Sequence, residues 1–142
     1  MGGIRWGRVA AGGLVAGLVM NVGEAALHGG VLATDTENLY AGLKVAMIAD
    51  PLNLATLIVA TFLVGIAAVW LYAAIRPRYG AGPKTAIYAG LAVWVFVHLF
   101  AGAYLGAGFA GIITPKLAWL PVGWGLVEAP LATLAGAWVY RE

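Results

Sequence analysis

No cysteine occurs anywhere in the 142 residues. That single absence removes disulfides, thiolate catalysis, iron–sulfur clusters and cysteine-ligated zinc, and it leaves the redox compartment undetermined. Charge is almost as scarce. Asp, Glu, Lys and Arg make up 10% of the chain, against about 25% in an average soluble domain. The formal balance of +2 is too small for a nucleic-acid surface, and the basic residues fall at the ends of apolar runs rather than in a stripe. No nucleotide-binding loop and no Ser–His–Asp order is visible; Gly80-x-Gly82 is too short and too close to Pro83 to cradle a phosphate.

What fills the chain instead is apolar: 63% hydrophobic residues and a mean hydropathy of +0.92. A soluble core of this size does not hide that much apolar surface, so lipid is the expected solvent, with room for four spans of about 20 residues and no separate soluble domain. The expected fold is an all-α integral membrane four-helix bundle, a single domain over 1–142, with spans at about 9–32, 53–75, 85–109 and 117–140. Arg5 and Arg8 before the first run imitate a secretory signal, but the run is long for one and is broken by Asn21 and Glu24, so it reads as an uncleaved span. Between the first two spans, Thr34-Asp35-Thr36 is placed to cap a short interfacial helix over 36–49, with Leu43, Ala46 and Met47 toward the headgroups and Pro51 closing it. Arg5, Arg8, Arg76, Arg78, Lys84 and Arg141 then fall at one end of the bundle, which puts both termini in the cytoplasm. Trp6, Trp70, Tyr72, Tyr79, Trp138 and Tyr140 fall at the same end, as an inner aromatic belt; Tyr40, Tyr104 and Trp119 mark the outer side. The repeated endings Val69-Trp70-Leu71-Tyr72 and Ala137-Trp138-Val139-Tyr140 read as two uses of that belt rather than as a duplicated hairpin.

Inside the spans only four residues are acidic or carry imidazole: Glu24, His28, His98 and Glu128. An ionisable group inside a bilayer costs several kcal/mol and normally faces a bundle interior or a wet cavity, so these are the candidate functional residues. At about 100° per residue, Gly13, Gly17, Asn21, Glu24 and His28 share one narrow face. Gly13-xxx-Gly17 admits a close backbone, Asn21 reaches across an interface, and Glu24 and His28 are spaced to meet directly. Glu128 lies mid-span on a face of small residues, Gly125, Ala132, Ala135 and Gly136, which predicts tight helix packing. Pro130 frees the Leu126 carbonyl, a plausible local partner for the acid. Counting helical rise places His98 about 20 Å and Glu24 about 24 Å above the inner end, with Glu128 near the middle.

Several chemistries stay open. Glu24 with His28, or Glu128 alone, serves equally as a neutral hydrogen-bonding device that fixes helix register. A haem between His28 and His98 needs an apolar slot, for which Gly102 and Gly106 offer room. Glu24, His28, His98 and Glu128 together offer a carboxylate–imidazole metal site, although the Glu-x-x-His spacing of di-metal bundles is absent. A proton- or ion-coupled carrier is a third option, and with four helices it requires oligomerisation. The stretches 17–24, 67–78, 82–86 and 124–140 resemble a group of small four-span bacterial membrane proteins of no known function. That resemblance implies an inner-membrane location and covers Asn21, Glu24 and Glu128 but neither histidine. The leading expectation is a non-catalytic accessory subunit of a membrane assembly, without a cofactor, whose partners are lipid and other membrane polypeptides or itself. The alternative is a small carrier or a haem- or metal-binding protein built on the Glu/His group.

Overall fold

The computed structural model describes residues 3–45 and 51–140. Those residues form five helices: α1 (Trp6–Val31), α2 (Ala33–Leu43), α3 (Pro51–Tyr79), α4 (Pro83–Gly108) and α5 (Pro115–Val139). All but α2 are long and apolar enough to cross a membrane. Each spanning helix starts or ends within a few residues of its expected place, because prolines and hydropathy punctuate the chain clearly. Pro83 and Pro115 open α4 and α5, where a missing N–H costs nothing. The Thr114 hydroxyl accepts from the Leu117 amide at 3.3 Å. Gly82 (φ 137°) and Gly111 (φ 90°) make the turns before α4 and α5 in backbone regions that favour glycine.

Two local expectations are corrected. Pro51 opens α3 rather than closing the preceding helix, and that position tolerates proline for the same reason as above. The short helix runs Ala33–Leu43, not 36–49; Lys44 turns left-handed (φ 55°) and ends it, and the expected stretch 46–49 lies outside the described residues. No side chain caps its start. Thr36 instead bonds back to the Leu32 carbonyl at 2.8 Å. Asp35, in the first turn of α2, reaches Lys116 in the first turn of α5 at 2.6 Å and ties α2 to the bundle.

Packing follows small residues. α1 lies between α3 and α5, and α4 lies against α5 and α3. A methyl at Gly13 or Gly17 would strike Ile66 or Phe62 of α3, and one at Gly65 would strike the backbone of α1. Gly12 and Gly136 meet where α1 crosses α5, and Gly90 of α4 sits on the backbone at Pro130. Close backbone approach of this kind is how helices associate where lipid gives no hydrophobic drive. Ala16, Ala68, Ala89, Ala129 and Ala132 fill the resulting core, while Ala135 is only half-buried.

The arginine-rich end shows a further departure. Tyr72 and Tyr140, expected in an aromatic belt, are buried and meet edge-to-face with ring centroids 5.9 Å apart. Their hydroxyls accept from the backbone amides of Gly82 (3.3 Å) and Arg5 (3.4 Å), and the Arg76 guanidinium lies 5.8 Å from the Tyr140 ring centroid. A buried ring whose hydroxyl finds a backbone donor is a clamp between helices, whereas Trp70 and Trp138 do point outward. Arg141, placed at this end by the sequence, lies outside the described residues.

Candidate functional site

Both histidines lie in widened turns. α1 is α-helical to Ala26 and then becomes a π-turn over Leu27–Val31, closed by the Leu32 amide on the Leu27 carbonyl at 2.8 Å. α4 does the same over Val95–Leu99, closed by the Phe100 amide on the Val95 carbonyl. His28 is the second residue of the first π-turn and His98 the fourth of the other. A π-turn sacrifices regular hydrogen bonding and re-aims the side chains around it; such turns concentrate at functional sites.

The re-aimed helices bring three of the four candidate residues together. One donor atom each from Glu24 on α1, His98 on α4 and Glu128 on α5 lie within 4.8 Å of one another. His28 stands beside them rather than among them: its Nδ1 is 3.0 Å from Glu24 Oε2, and its side chain is 52% exposed against 32% for Glu24. Glu128 is 7% exposed and lines a groove between α1 and α5 with Val22, Gly23, Trp124 and Val127.

Glu128 is held asymmetrically. Its Oε1 accepts from the Trp124 indole N–H at 3.2 Å, its Oε2 is buried with no donor on it, and the carboxyl lies in hydrogen-bonding reach of the Glu24 carboxyl. The Leu126 carbonyl freed by Pro130 is not its partner. Gly23 of α1 presses on the same carboxylate, since a methyl there would overlap Oε1. Gly125 of α5 makes room for the imidazole of His98 in the same way. His98 also lies in hydrogen-bonding reach of the Pro121 carbonyl. An N–H given to that carbonyl leaves the second ring nitrogen with a free lone pair. Trp94 braces this part of α4, its indole N–H reaching the Val122 carbonyl at 2.8 Å.

Other sequence candidates have structural duties. The Asn21 amide donates to the Gly17 carbonyl at 2.8 Å and to the Ile58 carbonyl of α3 at 3.4 Å, so it ties α1 to α3 and stays out of the acid–imidazole group. Gly13, Gly17 and Gly136 serve packing as expected, and Gly125 packs against His98 itself. The room for a haem expected at Gly102 and Gly106 is taken by Val122 and Trp119 of α5. Gly23, Trp124 and the Pro121 carbonyl were not singled out by the sequence. Trp124 and Glu128 are four apart on one helix, which is the one signal that pairs them.

The arrangement has a clear electrostatic consequence. Two carboxylates this close, in surroundings of low dielectric, do not both carry charge without a cation between them. The trio must share a proton or hold a metal ion. Comparison with protein-family models, curated proteins and solved structures gives no match in any of the three.

Proposed function

We infer that this is a small multi-pass membrane protein whose function is to bind a cation inside its helical bundle. The reading is carried by one observation: three separate helices deliver Glu24, His98 and Glu128 donor atoms to within 4.8 Å. A register device needs one hydrogen-bonded pair. The Glu24–Glu128 carboxyl pair would meet that need, and the His98 imidazole brought from a third helix to the same point goes beyond it. The cation, a metal ion or a transferred proton, makes the protein a carrier or a cofactor-holding protein rather than an enzyme with its own nucleophile. The arginines and Lys84 gathered at one end, with Asp35 and Lys116 at the other, support an inner-membrane placement with that end and both termini in the cytoplasm.

Infrared difference spectroscopy on the protein in lipid tests this reading. Changing pH or adding a metal should alter carboxyl bands in the wild type, and Glu128→Gln should remove part of that signal. Carboxyl bands that ignore both proton and metal would rule the reading out.

A second reading, an accessory subunit of a larger assembly, has its own support. Residues 51–60 of α3 are exposed on every face, including Leu54, Leu57 and Val59. This ten-residue stretch, joined to α1 where Asn21 reaches the Ile58 carbonyl, offers its exposed side chains to another polypeptide as well as to lipid. A photo-crosslinker at Leu57 should join a second chain if that reading holds, and only lipid if it does not.

A further inference from the structure

We propose that the cation is a divalent first-row transition metal of the zinc, iron or manganese class, held exchangeably by Glu24, His98 and Glu128. This rests on the cation-binding reading and narrows it.

Charge comes first. Glu24 and Glu128 as carboxylates with a neutral His98 carry −2, and a divalent ion brings the site to zero. A single proton or alkali ion offsets one carboxylate and leaves the other to a His28 imidazolium 3.0 Å from Glu24, whereas a divalent ion offsets both without it. Donor type comes second. An imidazole nitrogen suits zinc, iron and their neighbours, whereas calcium takes six to eight oxygens and magnesium retains most of its waters. Only two carboxylates and one imidazole converge here.

Size comes third. Three atoms no more than 4.8 Å apart lie at most about 2.8 Å from a common centre, and metal–ligand distances of about 2.0–2.2 Å are reached by sub-ångström side-chain shifts. Glu128 Oε2, buried with no donor on it, is the natural anchor, the metal taking the place of the proton that would otherwise bond the Glu128 and Glu24 carboxyls. The Pro121 carbonyl beside His98, the Trp124 indole on Glu128 Oε1 and His28 on Glu24 Oε2 are the outer groups that fix each ligand's orientation.

Three protein ligands leave a coordination position open, as in exchangeable and catalytic sites rather than closed structural ones. The group is reached from two sides, at the half-exposed His28 and along the groove between α1 and α5 that Glu128 lines.

The test is equilibrium titration of the detergent-solubilised full chain with Zn2+, Co2+, Ca2+ and Na+, using cobalt absorption to report nitrogen ligation. The wild type should bind one Zn2+ or Co2+ per chain and neither Ca2+ nor Na+ appreciably. Glu128→Gln should abolish binding, His98→Gln should abolish the nitrogen signature, and His28→Gln should weaken affinity about 10–100-fold. Helicity and monodispersity of each variant separate loss of the site from loss of the fold, and Lys116→Ala serves as a folded control. Ca2+ bound as tightly as Zn2+ and indifferent to His98→Gln would overturn the metal class while leaving a cation site. No metal binding, with carboxyl infrared bands that still respond to pH in a Glu128-dependent way, would overturn the metal and leave a proton site. Silence to metal and to pH alike would remove both readings.

Discussion

The two oxygens of Glu128 are treated differently, one accepting from Trp124 and the other buried with no donor on it, beside the Glu24 carboxyl. Glu128→Gln keeps an oxygen for the indole, so its effect on folding should stay within about 1 kcal/mol while cation binding is lost; thermal unfolding beside metal titration checks both halves. Gly23→Ala and Gly125→Ala put methyls onto the Glu128 carboxylate and the His98 ring. Each should cost about 1–3 kcal/mol of stability through overpacking and should displace a ligand, so cation affinity falls although no ligand is mutated. Lys116→Ala is the contrast. Its partner-exposed pairing with Asp35 should contribute less than about 1 kcal/mol. The acids and histidines were legible in the sequence because polar residues stand out against apolar spans. Gly125 was read there as a packing residue, though not against His98; Gly23 was not, because nothing in sequence ties it to an acid about a hundred positions away.

At the scale of the helix, the decisive features are the π-turns at Leu27–Val31 and Val95–Leu99. A regular helix count of about 100° per residue locates Glu24 and His28 on a common face but carries no information about a widened turn. Gly29-Gly30 hints at irregularity in α1, whereas Val95-Phe96-Val97 looks like any apolar helix. That is why the gathering of His98 with Glu24 and Glu128 was foreseen only as similar depth. Deleting Phe96, an exposed residue of the second π-turn, should restore regular winding, keep the flanking segments in register and re-aim His98 within the shortened turn, so that cation binding is lost. Circular dichroism should show the helical content retained. A deletion variant that still binds would mean the π-turn has no part in positioning His98.

For the whole molecule, length, hydropathy and proline placement made the four-helix architecture readable, and the interior small residues made its packing readable. What the sequence did not disclose was the tyrosine clamp, because Tyr72 and Tyr140 have the spacing of interfacial anchors and differ only in being covered. The proposed orientation rests on cation placement, and the cysteine-free chain makes it directly measurable. Single cysteines at Arg78 and at Asp35 should react with impermeant reagents from opposite sides of the membrane, Arg78→Cys from the cytoplasm. The central claim, a metal held where α1, α4 and α5 converge, is met most directly by anomalous X-ray diffraction from crystals of the cobalt-loaded protein. The account predicts one strong anomalous peak bounded by Glu24, His98 and Glu128. A peak elsewhere, or no peak with the two carboxyl groups hydrogen-bonded to each other, would contradict it.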